Sequence, residues 1–291
     1  MTQIKAQTES QTESQTETQP ANTTSPTIGV FDSGFGGLTV LRALLPLIPG
    51  AHYIYLGDTA RLPYGSKSRE TIARYAVSSA KFLRDKGADL LVIACNTATA
   101  LAMQEIQAAV PIPVIGVIEP VVQMAHYGRQ HSEVLVLATQ ATTQSHAYFE
   151  ACARRDLKAI EKACPLLVPL VEEGWTDHAV TREVVRIYLS EALQQCKPSA
   201  VLLGCTHYPL IAGSIEQTLR ELGSQATIID SAQSTARITA LHFAESSWGN
   251  ASDNPATFEC YATDSTEKFS RLGSQFLGQE IQHVHLLDLG G

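Results

Sequence analysis

Short apolar runs alternate with amphipathic stretches along most of the chain from residue 27 onward. The apolar runs predict strands at residues 27–31, 52–56, 90–94, 114–117, 134–138, 166–169, 200–203 and 227–229. Most of them are continuously apolar, which is typical of parallel strands covered on both faces. Helical periodicity between them predicts helices at residues 37–47, 68–86, 97–109, 145–158, 177–195 and 208–221. This alternation indicates an α/β fold with parallel sheets.

Two passages of the chain repeat one another in outline. Residues 90–97, LLVIACNT, and residues 200–207, AVLLGCTH, each run from an apolar strand through a small residue to a cysteine and polar residues. A predicted helix begins close to the end of each passage. The repeat predicts two similar α/β halves that face one another across a cleft.

Charge and hydropathy exclude several classes of protein. The 291 residues include 21 Lys and Arg against 29 Asp and Glu, a net charge of -8, which argues against a nucleic-acid or anionic-membrane surface. No apolar run approaches the roughly twenty residues that a membrane-spanning helix needs. We therefore expect a soluble protein that has no nucleic-acid partner and no membrane contact.

The first 26 residues are almost wholly polar and contain the near-repeat TES-Q-TES-Q-TET. Such a segment buries too little apolar surface to offset the entropy of ordering, so we expect it to be disordered, with a docking tail as the alternative. Because it has no apolar central region, we expect no secretory signal peptide and a cytoplasmic protein. The six cysteines should then be reduced thiols, and without a C-x-x-C motif we expect no structural zinc site.

A glycine-rich loop, residues 32–37 (DSGFGG), follows the first predicted strand. Ligands of open α/β sheets bind outside the carboxyl ends of the strands, so this loop is a candidate site. It does not match the dinucleotide motif G-x-G-x-x-G, because Thr39 occupies the last position, and no phosphate loop occurs in the chain. Its glycines would let backbone N–H groups approach a small anion, and a ligand-free turn is the alternative.

Two cysteines, Cys95 and Cys205, end matching strands, and each is followed by polar residues and a predicted helix. A helix N-terminus lowers the pKa of a thiol from about 8.5 toward neutrality, so each could be a base when ionised and an acid when protonated. We expect a structural role for the other four, which are Cys152, Cys164, Cys196 and Cys260. A single thiol nucleophile with Cys205 and His207 stays open but leaves Cys95 unexplained. A metal held by Cys205 and His207 also stays open, although C-x-H is not a usual zinc spacing.

Several motifs, taken together and in this order, resemble those of glutamate racemases. They are Phe31-Asp32-Ser33-Gly34, Gly57-Asp58-Thr59-Ala60-Arg61, Pro63-Tyr64-Gly65, Ala94-Cys95-Asn96-Thr97-Ala98, Val168-Pro169-Leu170-Val171-Glu172 and Gly204-Cys205-Thr206-His207-Tyr208-Pro209. The resemblance extends over about residues 27–278. Two cysteine motifs, with D-S-G before them and P-Y-G between, make it specific.

The resemblance implies a set of roles for residues of this chain. Cys95 and Cys205 would be acid/base thiols on opposite sides of the substrate α-carbon, with Asp32 assisting Cys95, and Glu172 and His207 near Cys205. The substrate would be held by Asp32, Ser33, Tyr64, Gly65, Asn96, Thr97, Thr142, Thr206 and His207. Two bases are needed because racemisation removes a proton from one face of the carbon and returns one to the other. The same resemblance implies that no cofactor or metal takes part.

The resemblance also implies an architecture and a biological setting. We expect two α/β domains with the active site between them, the first formed by residues 27–119 and 230–291 and the second by residues 120–229. The enzyme would form a homodimer and supply D-glutamate for peptidoglycan synthesis, and thus for cell shape, in a bacterial cytoplasm. Some family members also bind DNA gyrase or respond to a cell-wall precursor. An aspartate or hydantoin racemase, and an inactive binding protein with the same fold, remain alternatives.

Overall fold

The computed structural model describes residues 26–127, 132–246 and 254–290. The tail that is predicted to be disordered, residues 1–26, lies outside the described residues except for Pro26. The first part of the chain contains β1 (Thr27–Asp32), α1 (Leu38–Leu44), β2 (His52–Gly57), α2 (Arg69–Asp85), β3 (Leu90–Ile93), α3 (Asn96–Ala109), β4 (Val114–Gly116) and α4 (Ile118–His126). This succession of strands and helices matches the sequence-based prediction in outline.

The remaining elements follow the same alternation. The middle of the chain contains β5 (Glu133–Ala138), α5 (Gln140–Gln144), α6 (Ala147–Ala153), β6 (Lys158–Ala163), α7 (Leu167–Glu172), α8 (Ala179–Leu193), β7 (Ala200–Gly204), α9 (Ala212–Glu221), β8 (Thr227–Asp230) and α10 (Ser231–Glu245). The last elements are β9 (Thr257–Ala262), α11 (Thr266–Leu277) and β10 (Val284–Leu286).

The described strands form two separate sheets, and all of their pairings are parallel. The first sheet has the order β10-β9-β2-β1-β3-β4, and the second has the order β6-β5-β7-β8. Strands β5 to β8 repeat the order of β1 to β4, while β9 and β10 extend the first sheet beyond β2. The prediction of two similar parallel α/β units is therefore confirmed, and the domain boundaries near residues 119 and 229 stay a prediction.

Burial on both faces explains why the strands read as continuous apolar runs. Val30 and Phe31 are successive residues of β1 that point to opposite faces, and both are fully buried. They belong to different hydrophobic clusters, one on each side of the sheet. In the first unit β2 and β3 lie on opposite sides of β1, and in the second β6 and β7 lie on opposite sides of β5. The order in which the chain adds strands to the sheet therefore reverses at β1 and at β5. Cys95 and Cys205 follow the neighbouring strands β3 and β7. Such switch points open a crevice at the carboxyl ends of the strands.

The predicted strand at residues 166–169 is wrong, because this apolar stretch belongs to the helix α7. Leu167 and Val171 stand four residues apart, so both face the core on one side of a helix and are buried. The predicted helix at residues 145–158 is too long, since it ends at Ala153 and Asp156 adopts a positive φ of 55°. Strand β6 follows it. The lysines and the glutamate of β6 are typical of an edge strand. They interrupt the apolar run by which the other strands were predicted.

Strand β9 and helices α4, α10 and α11 are further elements that the apolar pattern did not predict. Among the described residues, none of the helices is both long and apolar enough to cross a membrane.

Candidate active site

A cavity of about 320 Å³ lies between the two sheets, at the carboxyl ends of their strands. Most of the predicted site residues line it, namely Ser33, Tyr64, Gly65, Cys95, Asn96, Thr97, Glu172, Cys205, Thr206 and His207. Two predicted residues, Asp32 and Thr142, are fully buried beside it and do not line it. Residues that are more than 100 positions apart in the chain thus converge on a space the size of a small ligand.

Cys95 caps the N-terminus of α3, with its thiol in the cavity wall. Its Sγ accepts a hydrogen bond from the backbone N–H of Ala98 at 3.4 Å and donates one to Ser33 Oγ at 3.6 Å. The hydrogen bond from Ala98 favours the thiolate, as predicted for a cysteine at a helix start. The residue is nevertheless 5% exposed, so its thiol is largely removed from water.

The expectation that Cys95 has a lowered pKa is wrong. Burial raises the pKa of its thiol to about 12, and the negative charge of Asp32 adds to this effect. The N–H of Ala98 and the contacts of Ser33 oppose the shift without cancelling it. The desolvation of a charged thiolate thus outweighs the attraction of one helix end, and Cys95 is a protonated thiol at neutral pH.

Asp32 is the last residue of β1 and has no exposed surface. Burial raises the pKa of its carboxyl above the ordinary value, whereas the charge of His207 and the backbone N–H groups of the glycine loop lower it. One of these N–H groups, from Gly34, donates to Asp32 Oδ2 at 2.9 Å. Asp32 does not line the cavity itself, and it acts on the Cys95 thiol through its charge.

Cys205 does not stand at an α-helix start, because the predicted helix at residues 208–221 begins as a 3₁₀ turn, Tyr208–Ile211, before α9. The group beside the Cys205 thiol is instead the imidazole of His207. His207 Nδ1 lies 3.8 Å from Cys205 Sγ, and His207 Nε2 lies 3.0 Å from Glu172 Oε1. The contacts run from thiol to imidazole to carboxylate. In such an arrangement the imidazole can exchange a proton with the thiol, and the carboxylate orients the imidazole.

The charges around His207 favour its imidazolium form. Burial alone would lower the pKa of His207, but the hydrogen bonds and charges of Cys205 and Glu172 raise it to about 10. The stability that the folded protein gains from the raised pKa of His207 is fully present below the ordinary pKa of about 6.5. It is lost as the pH rises through the folded-state pKa of about 10. At neutral pH an imidazolium faces Cys205, whereas a carboxyl group lies behind Cys95, so the two thiols have opposite electrostatic surroundings.

We expect Glu172→Gln to lower the pKa of His207, because a neutral amide no longer stabilises the imidazolium. An NMR titration of the imidazole nitrogens should show the midpoint several tenths of a pH unit or more below that of the unsubstituted protein. Glu173→Gln is the matched control, since Glu173 is exposed and His207 bonds to its neighbour instead. An equal shift in both variants, or no shift in either, would contradict the pairing of Glu172 with His207.

Three threonine hydroxyls form a cluster that bridges the two sheets. Thr97 Oγ1 lies 3.0 Å from Thr139 Oγ1 and 3.1 Å from Thr142 Oγ1, and the last two lie 2.9 Å apart. Thr139 lines the cavity and caps α5, and it is a site residue that was not predicted from the sequence. Its position could have indicated a site residue, because Thr139 directly follows the apolar run of β5. Thr142 does not line the cavity, and it is connected to the lining by its hydrogen bonds with Thr97 and Thr139.

The motifs GDTAR and PYG meet around one buried carboxylate. Tyr64, whose side chain lines the cavity, donates its hydroxyl to Asp58 Oδ2 at 2.6 Å. Arg61 and Thr263 donate to the other oxygen of Asp58 at 3.0 and 2.9 Å. Because the hydroxyl of Tyr64 donates its proton to Asp58, only the ring and the lone pairs of the hydroxyl oxygen are left for contacts with a ligand. Asp58 thereby fixes the side chain of Tyr64 in the cavity wall.

Asn96 is 3% exposed and lines the cavity directly after Cys95. Its Oδ1 accepts a hydrogen bond from Tyr148 at 2.6 Å. Its Nδ2 has no hydrogen-bond partner among the residues that the structure describes. A buried amide N–H group that lacks a partner can donate to a ligand oxygen.

The described residues hold no group of three or more His, Cys, Asp or Glu side chains that could bind a metal ion. The Cys205–His207 pair has Glu172 as its third polar neighbour, and this carboxylate bonds to the imidazole instead of completing a ligand set around a shared centre.

Comparisons with known proteins place these features in a family. The family model for Asp/Glu/Hydantoin racemases matches residues 28–239. The glutamate racemase of Koribacter versatilis is 48% identical in an alignment that covers 91% of this chain and 98% of that protein.

Solved structures agree with the sequence comparison. The crystal structure of glutamate racemase from Francisella tularensis in complex with D-glutamate has a TM-score of 0.83 at 36% identity, and covers 91% of this chain and 98% of that one. The Escherichia coli glutamate racemase in complex with L-glutamate and the activator UDP-MurNAc-ala has a TM-score of 0.72 at 27% identity, and covers 92% and 100% of the two chains.

Proposed function

Because the chain belongs to the Asp/Glu/Hydantoin racemase family and is an amino-acid racemase, we propose that it interconverts L- and D-glutamate. The curated relatives at 40% to 48% identity are glutamate racemases. The solved glutamate racemases of Francisella tularensis and Escherichia coli hold D-glutamate and L-glutamate, respectively. The aspartate racemase structures are only 18% identical to this chain, so their likeness concerns the fold alone.

The proposed mechanism uses two bases, and one observation carries it. Cys95 and Cys205 follow equivalent strands of two sheets with the same strand order, and both line one cavity. A substrate between them would present one face of its α-carbon to each thiol. One thiol removes the α-proton as a thiolate while the other donates a proton to the opposite face.

The surroundings of the thiols support a direction for each step. The imidazolium of His207 lies beside Cys205 Sγ, while burial and Asp32 keep Cys95 protonated. In this state Cys205 would take the α-proton of L-glutamate and Cys95 would supply the proton of the D-product. The reverse reaction begins from the opposite protonation state. Because the equilibrium constant of a racemisation is one, kcat/KM must be equal for the two enantiomers at every pH.

Neutral donors would hold the carboxylates of glutamate. Asn96, Thr97 and Thr206 line the cavity, none of them carries a charge, and Asn96 Nδ2 has no hydrogen-bond partner among the described residues. Preorganised donors in a site shielded from water stabilise the negative charge that develops when the α-proton leaves. In this arrangement Asp32 and Glu172 act on the thiols, directly or through His207, and the threonine cluster holds the two sheets together around the substrate.

A chiral assay of the purified protein with L- and D-glutamate and no added cofactor tests the proposed function. We expect each enantiomer to be converted to the racemate, and we expect no change of rate with EDTA or with pyridoxal phosphate. L-Aspartate should react at least about tenfold more slowly, since one methylene in a pocket changes recognition by 1–3 kcal/mol. Activity that EDTA abolishes and one metal restores would contradict the cofactor-free mechanism. Faster turnover of aspartate would reassign the substrate.

The proposal extends to the setting of the enzyme. D-Glutamate is a component of bacterial peptidoglycan, so this reaction would supply cell-wall synthesis in the cytoplasm and maintain cell shape. We also propose a homodimer as the assembly. Size-exclusion chromatography with light scattering tests this assembly, and a monomer at the enzyme's working concentration would contradict it.

A further inference from the structure

Tyr148 connects the two cysteine-bearing turns without lining the cavity. It lies in the first turn of α6, has no exposed surface, and donates its hydroxyl to Asn96 Oδ1 at 2.6 Å. Asn96 follows Cys95 in the first unit, whereas α6 belongs to the second. No motif considered above assigns Tyr148 a role.

The hydrogen bond fixes which end of the Asn96 amide contacts Tyr148 and which end is left for another partner. Burial raises the pKa of Tyr148 well above its ordinary value, so the phenol keeps its proton and needs an acceptor. The acceptor it has is Asn96 Oδ1, and a flipped amide would leave the phenol proton without that acceptor. The orientation with Oδ1 toward Tyr148 leaves Nδ2 as the end of the amide that has no hydrogen-bond partner among the described residues.

The ring of Tyr148 also packs beside the second cysteine. A Cβ atom placed on Gly204, the residue before Cys205, would lie 3.1 Å from Tyr148 Cε2. The hydroxyl therefore contacts the neighbour of Cys95, while the ring contacts the neighbour of Cys205. One side chain thus contacts both the residue that follows Cys95 and the residue that precedes Cys205.

We propose that Tyr148 is a positioning residue, which holds the Asn96 amide so that its Nδ2 donates to a carboxylate oxygen of the substrate. The inference rests on the proposed function for the identity of that carboxylate. Without the hydroxyl the amide can rotate and present Oδ1, which repels a carboxylate. The loss should therefore appear in substrate binding before it appears in the proton transfer.

Tyr148→Phe tests the proposal because it removes only the hydroxyl. We expect KM for both enantiomers of glutamate to rise about tenfold, the effect of one misplaced hydrogen bond, with kcat changed by less than about threefold. Tyr53→Phe is the matched control. Tyr53 is also fully buried, and it donates to the backbone oxygen of Leu44, away from the cavity. We expect it to lower the melting temperature without a change in KM.

Combination with Asn96→Ala separates positioning from a general structural effect. If Tyr148 acts through Asn96, adding Tyr148→Phe to Asn96→Ala should raise KM no further. An unchanged KM in Tyr148→Phe, or an equal rise in both backgrounds, would overturn the proposal. If the unsubstituted enzyme does not racemise glutamate, the proposed function fails. The same KM comparison with the amino acid that it does racemise then still tests Tyr148.

Discussion

Replacing either Cys95 or Cys205 by alanine is expected to lower kcat/KM for inversion of both enantiomers at least about 10³-fold. General acid–base catalysis by one positioned group is worth about 10² to 10⁴ in rate, and here each thiol is needed in every turnover. Without one of them the carbanion lacks either its generator or its proton donor. The loss must be the same in both directions, because the equilibrium constant fixes the ratio of the two kcat/KM values.

The comparison with Cys196→Ala shows whether the loss is specific. Cys196 is also a buried free cysteine, but it lies just beyond the end of α8 and outside the cavity wall. We expect this variant to keep nearly full activity, as measured by circular dichroism or a chiral assay. A Cys95→Ala enzyme with substantial activity would instead favour a single nucleophile formed by Cys205 and His207. Loss of activity in Cys196→Ala would indicate that the substitutions act through folding.

Gly36→Ala is expected to lower kcat/KM by about 10² or more, although the substitution adds only a methyl group. A Cβ at this position would lie 2.2 Å from Thr206 Oγ1 and 2.6 Å from His207 Nδ1, so the glycine loop and the turn around Cys205 must separate. Thr39 also donates to the backbone oxygen of Thr206 at 3.1 Å and ties the same two segments together. Misplacing a catalytic group by about 1 Å can cost about 10²-fold in rate.

Gly213→Ala is the matched control for the added methyl group. Gly213 lies in the first turn of α9, and a Cβ there would meet no atom within 4 Å. Alanine favours a helix over glycine by about 1 kcal/mol, so this variant should be fully active and slightly more stable. Thermal melts and steady-state kinetics of both variants decide the point. Full activity in Gly36→Ala would show that the two segments tolerate separation.

The fold and the cysteine pair could be predicted because local patterns encode them. Buried parallel strands are continuously apolar, and Cys95 and Cys205 stand at the ends of two such runs. The sequence could not predict the opposite electrostatic surroundings of the two thiols. These depend on burial and on contacts over long sequence separations, such as Glu172 with His207 and Asp32 behind Cys95.

The errors have equally local causes. Residues 166–169 are apolar enough for a strand, and only their packing as one face of α7 shows that they are helical. Thr139 was missed because a threonine after a strand is also an ordinary helix cap, and its contact with Thr97 crosses between units. The role proposed for Tyr148 depends on one hydrogen bond between residues 52 positions apart, which no local pattern reveals.

Exchange of the α-proton in heavy water, followed by proton NMR, tests the central claim that two thiols flank the α-carbon. In the unsubstituted enzyme the product of inversion should carry deuterium on its α-carbon, because thiol protons exchange with solvent. Cys95→Ala retains the base for L-glutamate and should exchange only that enantiomer, slowly and with retention, while Cys205→Ala should exchange only D-glutamate. Substantial inversion by either variant would contradict the two-base account, and the opposite pairing of residual exchange would reverse the roles of the two thiols.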